Sequence, residues 1–229
     1  MYVDVAYHLN HFTNVDGQAY KQMNVGGRGN RARTFSDDVL VIELSGPNTM
    51  PLSIVDVPGI FRNPTPGVTT ERDMDLVRSM VQGYMSNPHS IMLVVVAANV
   101  DISNQEILRM AKAFDPDGVR TVGILTKPDL VDKKAEKPFL DMLNGKSHKL
   151  KLGWHIVRNP GQADLTKKKF HDRIEAEKTY FTEHKVWRRV EEDNRGIPAL
   201  RTRLQDIGPA HFERGYPKVS YQILRHNLY

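Results

Sequence analysis

From Asp38 the chain settles into a legible order of apolar and polar positions. Val39-Leu40-Val41-Ile42-Glu43-Leu44 is rich in strand-forming residues, Gly46-Pro47-Asn48 marks a turn, and Leu52-Ser53-Ile54-Val55-Asp56 resumes the pattern. Two such runs across a short turn predict a hairpin, closed by Asp56-Val57-Pro58-Gly59. A loop rich in Pro and Thr follows, to about Thr70. Between Asp73 and Met85 the apolar residues Met74, Val77, Val81 and Met85 recur at helical spacing, and Asn87-Pro88 ends the run. Ile91 to Ala97 is continuously apolar, which predicts a strand buried on both faces of a parallel sheet. Ser103–Phe114 reads as an amphipathic helix, Val119–Thr126 as a second buried strand, Pro138–Leu143 as a short helix and Trp154–Val157 as another buried strand. This alternation predicts an α/β fold with a largely parallel sheet. The charged stretch 166–206, with Phe170, Ile174, Phe181, Val186, Val190, Leu200 and Leu204 at its apolar positions, predicts helices packed outside the sheet.

Upstream of Thr34 the pattern is less regular. Tyr2–Tyr7 has strand character and Gln18–Val25 helical character. Gly26, Gly27 and Gly29, with Arg28, Arg31 and Arg33, make a basic loop. These glycines lack the Gly-Lys-Ser/Thr ending of a phosphate loop.

Composition narrows the function classes. The 229 residues are 40% hydrophobic and 26% charged, the balance of a globular protein. There is no cysteine, which excludes disulfides and thiolate chemistry. The longest apolar run, Ile91–Ala98, is strand length and far short of a membrane span. Met1-Tyr2-Val3-Asp4 lacks the basic region and apolar core of a signal peptide. The net charge of +5 is uneven: residues 1–129 hold 11 Lys/Arg against 14 Asp/Glu, and residues 130–229 hold 21 against 13. A basic half favours anionic partners, although such a cluster is commonly no more than a solvated helical face. His8 and His11 stand three apart with no second pair of ligands, which argues against a metal centre.

Two short motifs carry candidate chemistry. Asp56-Val57-Pro58-Gly59 follows an expected strand. In nucleotide-hydrolysing α/β domains an aspartate there holds magnesium through water, and the glycine lets a backbone N–H approach the terminal phosphate. Thr126-Lys127-Pro128-Asp129 follows a second strand about seventy residues on. An aspartate so placed can accept from N1–H and N2–H₂ of guanine, a donor pair that adenine lacks, while the lysine stem covers the base plane. Taken alone, the first motif is an ordinary turn and the second a helix N-cap by Asp129. Asn159-Pro160-Gly161-Gln162, after the Trp154–Val157 strand, stands where guanine-nucleotide proteins place a further base-contacting loop.

At this point the chain resembles the dynamin family of large GTPases, with the flavour of its fungal Mx-like and dynamin-like members. The resemblance rests on Thr34–Leu40, Glu43-Leu44-Ser45-Gly46-Pro47, Leu52–Gly59, Ala97–Asp101, Ala111–Gly118 and Arg120–Leu130, and covers roughly residues 34–220. It implies a P-loop-NTPase-like G domain with a mainly parallel sheet, missing its first strand and phosphate loop, plus C-terminal helices. The implied boundaries are an atypical segment over 1–33, a partial G domain over 34–207, and over 208–229 the start of the bundle signalling element that leads to the stalk. The implied activity is binding of GTP with magnesium and its hydrolysis to GDP and phosphate. By resemblance, Asp56 (magnesium through water) and Gly59 form the switch. Thr126, Lys127, Asp129, Asn159 and Gln162 contact the nucleotide, and Asp101 lies where two G domains meet. Pro160 departs from the arginine common in the family. The implied partners are guanine nucleotide and other dynamin-like G domains, with membrane or microtubules by family resemblance alone and no nucleic acid. The implied location is the cytoplasm, peripheral to organelle membranes.

No Gly-x-x-x-x-Gly-Lys-Ser/Thr occurs in the chain, and the switch threonine is missing with it. That loop would cradle the phosphates, and the strand before it would lie between the strand ending at Asp56 and the Ile91–Ala97 strand. Without it, unpaired strand edges would stand in the middle of the sheet. The edges could close on each other, or Tyr2–Tyr7 could fill the gap. The chain could also be a piece of a longer protein or a faulty gene model, which the sequence favours. The expected function is therefore a dynamin-like GTPase domain with impaired activity. The alternative is a catalytically dead module that pairs with intact G domains. Membrane remodelling by this chain alone is not expected.

Overall fold

Thr70 and Asp73 start the first helix. The Thr70 amide and hydroxyl both donate to Asp73 Oδ2 at 2.8 Å, and the Asp73 amide returns a 3.3 Å bond to Thr70 Oγ1. This reciprocal arrangement is a capping box with Asp in place of Glu. From it runs α1 (Glu71–Met85), whose stripe Val77, Val81, Met85 is buried. The computed structural model describes residues 35, 39, 41–42, 53–102, 105–161 and 170–215. It divides the chain into two compact units, Met1–Tyr84 and Met85–Tyr229.

In the first unit the Phe35 and Phe61 rings stack with centroids 5.6 Å apart. The hairpin expected over 39–44 and 52–56 is not found in the described residues. Residues 53–60 form no strand, and Ile54 and Val55 are 63% and 55% exposed. Successive strand residues point to opposite faces, so exposure of both means that neither face is covered. A β-rich segment without a covered face lacks the burial that stabilises a strand.

In the second unit the apolar runs become β1 (Met92–Ala97), β2 (Thr121–Thr126) and β3 (Trp154–Ile156), side by side in that order. Both pairings are parallel, with Met92 opposite Thr121 and Gly123 opposite Trp154. Parallel neighbours need crossovers. The first carries α2 (Glu106–Phe114); the second carries a 3-10 turn at Pro128–Leu130 and α3 (Lys137–Leu143). Every residue of β2 is buried, as a strand covered on both faces requires. Val95, Val122, Ile124 and Val157 form a core cluster, with Ile91, Leu152, Leu200 and Ile207 packed on it. Gly123 is where backbone and ring approach most closely: the Trp154 indole lies flat against its Cα, in the space a Cβ would need.

After β3 come α4 (Phe170–Glu183), 3-10 turns at Trp187–Arg189 and Glu192–Asn194, and α5 (Ile197–Gly215). α5 is tied to β3 by several bonds. The Gly196 amide donates to the Ile156 carbonyl at 2.8 Å, and Arg203 donates to the carbonyls of Trp154 and Leu152. His155, fully buried, donates from Nε2 to the Gly196 carbonyl at 2.8 Å, since a carbonyl only accepts. Burial, with the Arg203 charge as a lesser contribution, pushes the His155 pKa down to about 4, so the ring is neutral near pH 7.

Candidate functional site

The carboxyl ends of parallel strands share one edge, where ligands of open α/β sheets bind. Pairing runs unbroken to that edge: the Ala98 amide donates to Thr126 O at 2.8 Å and the Val157 amide to Leu125 O at 2.9 Å. The loops that leave it carry Asp101 after β1, Lys127 and Asp129 after β2, and Asn159 after β3. Four residues singled out in the sequence thus share one rim, and all four are exposed.

The turn after β2 is shaped by Lys127, a non-glycine residue in the left-handed region at φ 56° and ψ 44°. Such a conformation is uncommon and costs energy. It reverses the chain into the 3-10 turn, closed by Leu130 N–H to Lys127 O at 3.1 Å. Pro128 is buried and Asp129 is held out at the rim. Asp129 is therefore no helix cap. It lies inside the turn that Lys127 precedes, and α3 begins only at Lys137. Thr126 is buried, and its hydroxyl donates to the Val96 carbonyl at 3.4 Å, which joins the ends of β1 and β2.

Asp56 and Gly59 belong to the first unit, where Asp56 is exposed and Gly59 half-buried. The strand end expected to position them is not present over 53–60. Gln162 lies outside the described residues. Among the described residues no group of three or more His, Cys, Asp or Glu could hold a metal ion. Asp56 alone fits a water-mediated role, in which a single carboxylate suffices.

Three residues behind the rim were not signalled by the motifs. Glu177 on α4 is 3% exposed and accepts from the Arg158 amide (2.8 Å) and the Ile197 amide (2.7 Å). Burial raises its pKa, against the opposing effect of those amides and of the Arg158 charge. One turn on, Tyr180 lies under the Arg158 guanidinium, 5.3 Å from ring centroid to Cζ. Burial and the charge of Asp129 push the Tyr180 phenol up to about 12, partly offset by Trp187 and Arg158. A carboxylate among Ile174, Phe181 and their helical neighbours was the available signal: Glu177 is a charged residue on the apolar stripe.

At the opposite edge the charged groups are buried and satisfied. Arg120, 7% exposed, donates to the carbonyls of Met85 (2.6 Å), Ser90 (3.0 Å) and Phe114 (3.0 Å). Asp115 accepts from the Thr121 hydroxyl at 2.6 Å and from the amides of Val119 and Arg120 at 3.0 Å. Burial alone would raise the Asp115 pKa. The hydrogen bonds and the Arg120 charge outweigh it and lower the value.

Residues 8–128 match the family model described as the dynamin family, and residues 139–226 that of the dynamin central region. The first match begins upstream of Thr34. The second includes β3, so the parallel sheet crosses from one match to the other. An interferon-induced GTP-binding protein Mx of Perca fluviatilis is 40% identical over 172 residues, 74% of this chain and 57% of that protein. The Mx protein of Dicentrarchus labrax is 37% identical over 191 residues, 82% of this chain and 29% of its own length. Human Mx2 is 34% identical over 213 residues, 91% of this chain and 29% of its own length. The chain thus spans 29% to 57% of the length of these relatives.

Proposed function

This chain belongs to the dynamin family and carries its GTPase-domain sequence, and on that premise we propose that it binds guanine nucleotide by the base. The observation that carries the reading is the left-handed turn at Lys127, which holds Asp129 exposed at the carboxyl rim beside the Asn159 loop. Asp129 accepts from guanine N1–H and N2–H₂. Adenine offers no such pair, so the wrong base leaves the carboxylate unpaired. The Lys127 stem lies along the base. Arg158, fixed over Tyr180, holds the third loop in place.

The phosphate end differs. The sequence contains no complete Gly-x-x-x-x-Gly-Lys-Ser/Thr phosphate loop (Gly145-Lys146-Ser147 has Leu140 where the leading glycine would stand), so base recognition outlasts hydrolysis in these 229 residues. With magnesium bound, GTP would supply the phosphoryl group that the family transfers to water. By family resemblance, Asp56 and Gly59 of the first unit are the proposed residues for magnesium (through water) and the terminal phosphate. A second dynamin-like G domain is the proposed partner at the surface bearing Asp101. Among the described residues no helix is long and apolar enough to cross a membrane.

Calorimetric titration of the 229-residue chain with GDP, GTP and ADP, with magnesium, tests the reading. Guanosine preference that is lost in Asp129→Ala is expected, with GTP no tighter than GDP and no turnover. Equal affinity for GDP and ADP would refute base recognition. Micromolar GTP binding with measurable hydrolysis would refute the impairment.

A further inference from the structure

Glu177 joins three parts of the second unit. One carboxylate oxygen accepts from Arg158, the second residue past the end of β3 and the neighbour of Asn159, and the other from Ile197, the first residue of α5. The approach is close. A Cβ on Gly196, whose φ is +84°, would come within 3.4 Å of Glu177 Oε2. Nothing in the base-recognition chemistry uses this group, yet it is buried and ionisable, and removing it would leave two amides without acceptors. Its neighbour one turn along, Tyr180, meets the Arg158 guanidinium and feels the charge of Asp129. The Glu177–Tyr180 face of α4 therefore touches the loop after β3 and lies near the turn after β2.

We propose that Glu177 is a positioning residue for the rim: its carboxylate fixes the course of loop 158–161 and locks that loop to the first turn of α5, so that the two move together. The proposal rests on the guanine reading for its functional consequence. α5 carries the chain onward from the sheet, so a displacement of its first turn reaches the base-side loop through one side chain. Glu177→Gln keeps the shape but replaces one acceptor by an amide NH₂, which faces an N–H with another donor. Glu177→Asp keeps the charge and is one methylene short of spanning both amides.

The test compares wild type, both Glu177 variants and Thr121→Val. The last removes a buried hydrogen bond to Asp115 at the opposite edge. Amide exchange is followed without ligand over 157–161 and 195–199. The Gly196 amide, bound to the Ile156 carbonyl, serves as internal reference. GDP and ADP affinities are measured in parallel. In Glu177→Gln, faster exchange at Arg158 and Ile197 together is expected, with GDP affinity down about tenfold and ADP binding unchanged. Glu177→Asp gives a smaller change of the same sign. Thr121→Val lowers the melting temperature and moves neither readout. Unchanged exchange at Arg158, or equal effects from Thr121→Val, would overturn the positioning role. A wild type that does not discriminate guanosine from adenosine sinks the base-site reading. The exchange comparison needs no ligand and still decides whether Glu177 holds the loop.

Discussion

Gly123→Ala is the sharpest test of the packing that aligns the rim. Gly123 sits in the middle of the central strand, paired with Trp154, and the Trp154 ring lies over its Cα. An added Cβ would stand 2.6 Å from Cζ3 and closer still to Cε3 and Cδ2. The ring has little room to yield. Trp154 is 2% exposed, and its Nε1 donates to the His148 carbonyl at 2.8 Å. Overpacking a core by one methyl costs roughly 1–3 kcal/mol. Here the overlap lies with a pinned ring, and relieving it would strain or break a hydrogen bond worth about 1 kcal/mol. The expected cost is therefore about 3 kcal/mol, a large part of the ~5–15 kcal/mol that holds a domain together. Urea unfolding followed by circular dichroism measures it. Trp154→Leu also destabilises, by losing buried surface. In the double variant the two costs overlap, because the leucine vacates the space the new methyl needs; a coupling of about 1 kcal/mol or more is expected. A Gly123→Ala protein within about 0.5 kcal/mol of wild type, or strictly additive costs, would refute the close approach of ring and backbone.

Two further outcomes follow from buried polar groups. Arg120→Lys replaces a planar fork that reaches three carbonyls by a single point charge, and a loss of about 1–3 kcal/mol in unfolding free energy is expected; no loss would mean that the three carbonyls do not depend on the guanidinium. His155, at about 4 when folded against 6.5 unfolded, takes up its proton more readily in the unfolded chain, so stability falls as pH drops from about 6.5 toward 4. The full difference is worth up to about 3 kcal/mol. Glu177 acts in the opposite sense, its raised pKa favouring the folded state as pH falls, so the comparison is wild type against His155→Gln, which keeps a donor for the Gly196 carbonyl. A flatter stability profile between pH 7 and 4.5 is expected in the variant, and identical slopes would exclude a buried neutral histidine.

Periodicity made the second unit legible. Runs such as Met92–Ala97 and Thr121–Thr126 owe their order to burial on both faces, and that burial is written in composition alone. The 52–56 segment has equal strand propensity but forms no strand over 53–56, because pairing is a property of the partner as well as of the segment. The choice between Asp129 as helix cap and as rim carboxylate could not be made from Thr126-Lys127-Pro128-Asp129, since both readings use the same residues. It turns on one dihedral, the φ of Lys127. Glu177 was harder to see for another reason. Its partners are backbone amides 19 and 20 positions away, and any residue supplies a backbone amide, so no motif records the contact.

The two edges of the sheet treat charge in opposite ways, and this bears on which residues serve recognition. At the amino edge, Asp115 and Arg120 are nine-tenths buried or more, and their bonds go to helix ends and strand starts. Buried charges survive only when so satisfied, and each such bond stabilises the fold. At the carboxyl edge, Asp101, Lys127, Asp129 and Asn159 are exposed, and the second of them adopts a backbone conformation that costs stability. Folding alone would favour a glycine or asparagine at that turn, where a left-handed φ is cheap. A lysine there sacrifices stability for an ammonium and an apolar stem at the rim, next to a carboxylate one residue beyond a buried proline. Replacing Lys127 by glycine should therefore cost the fold nothing, or stabilise it slightly, while weakening guanine nucleotide binding. A Lys127→Gly protein that lost stability and kept its affinity would place the lysine in the scaffold instead.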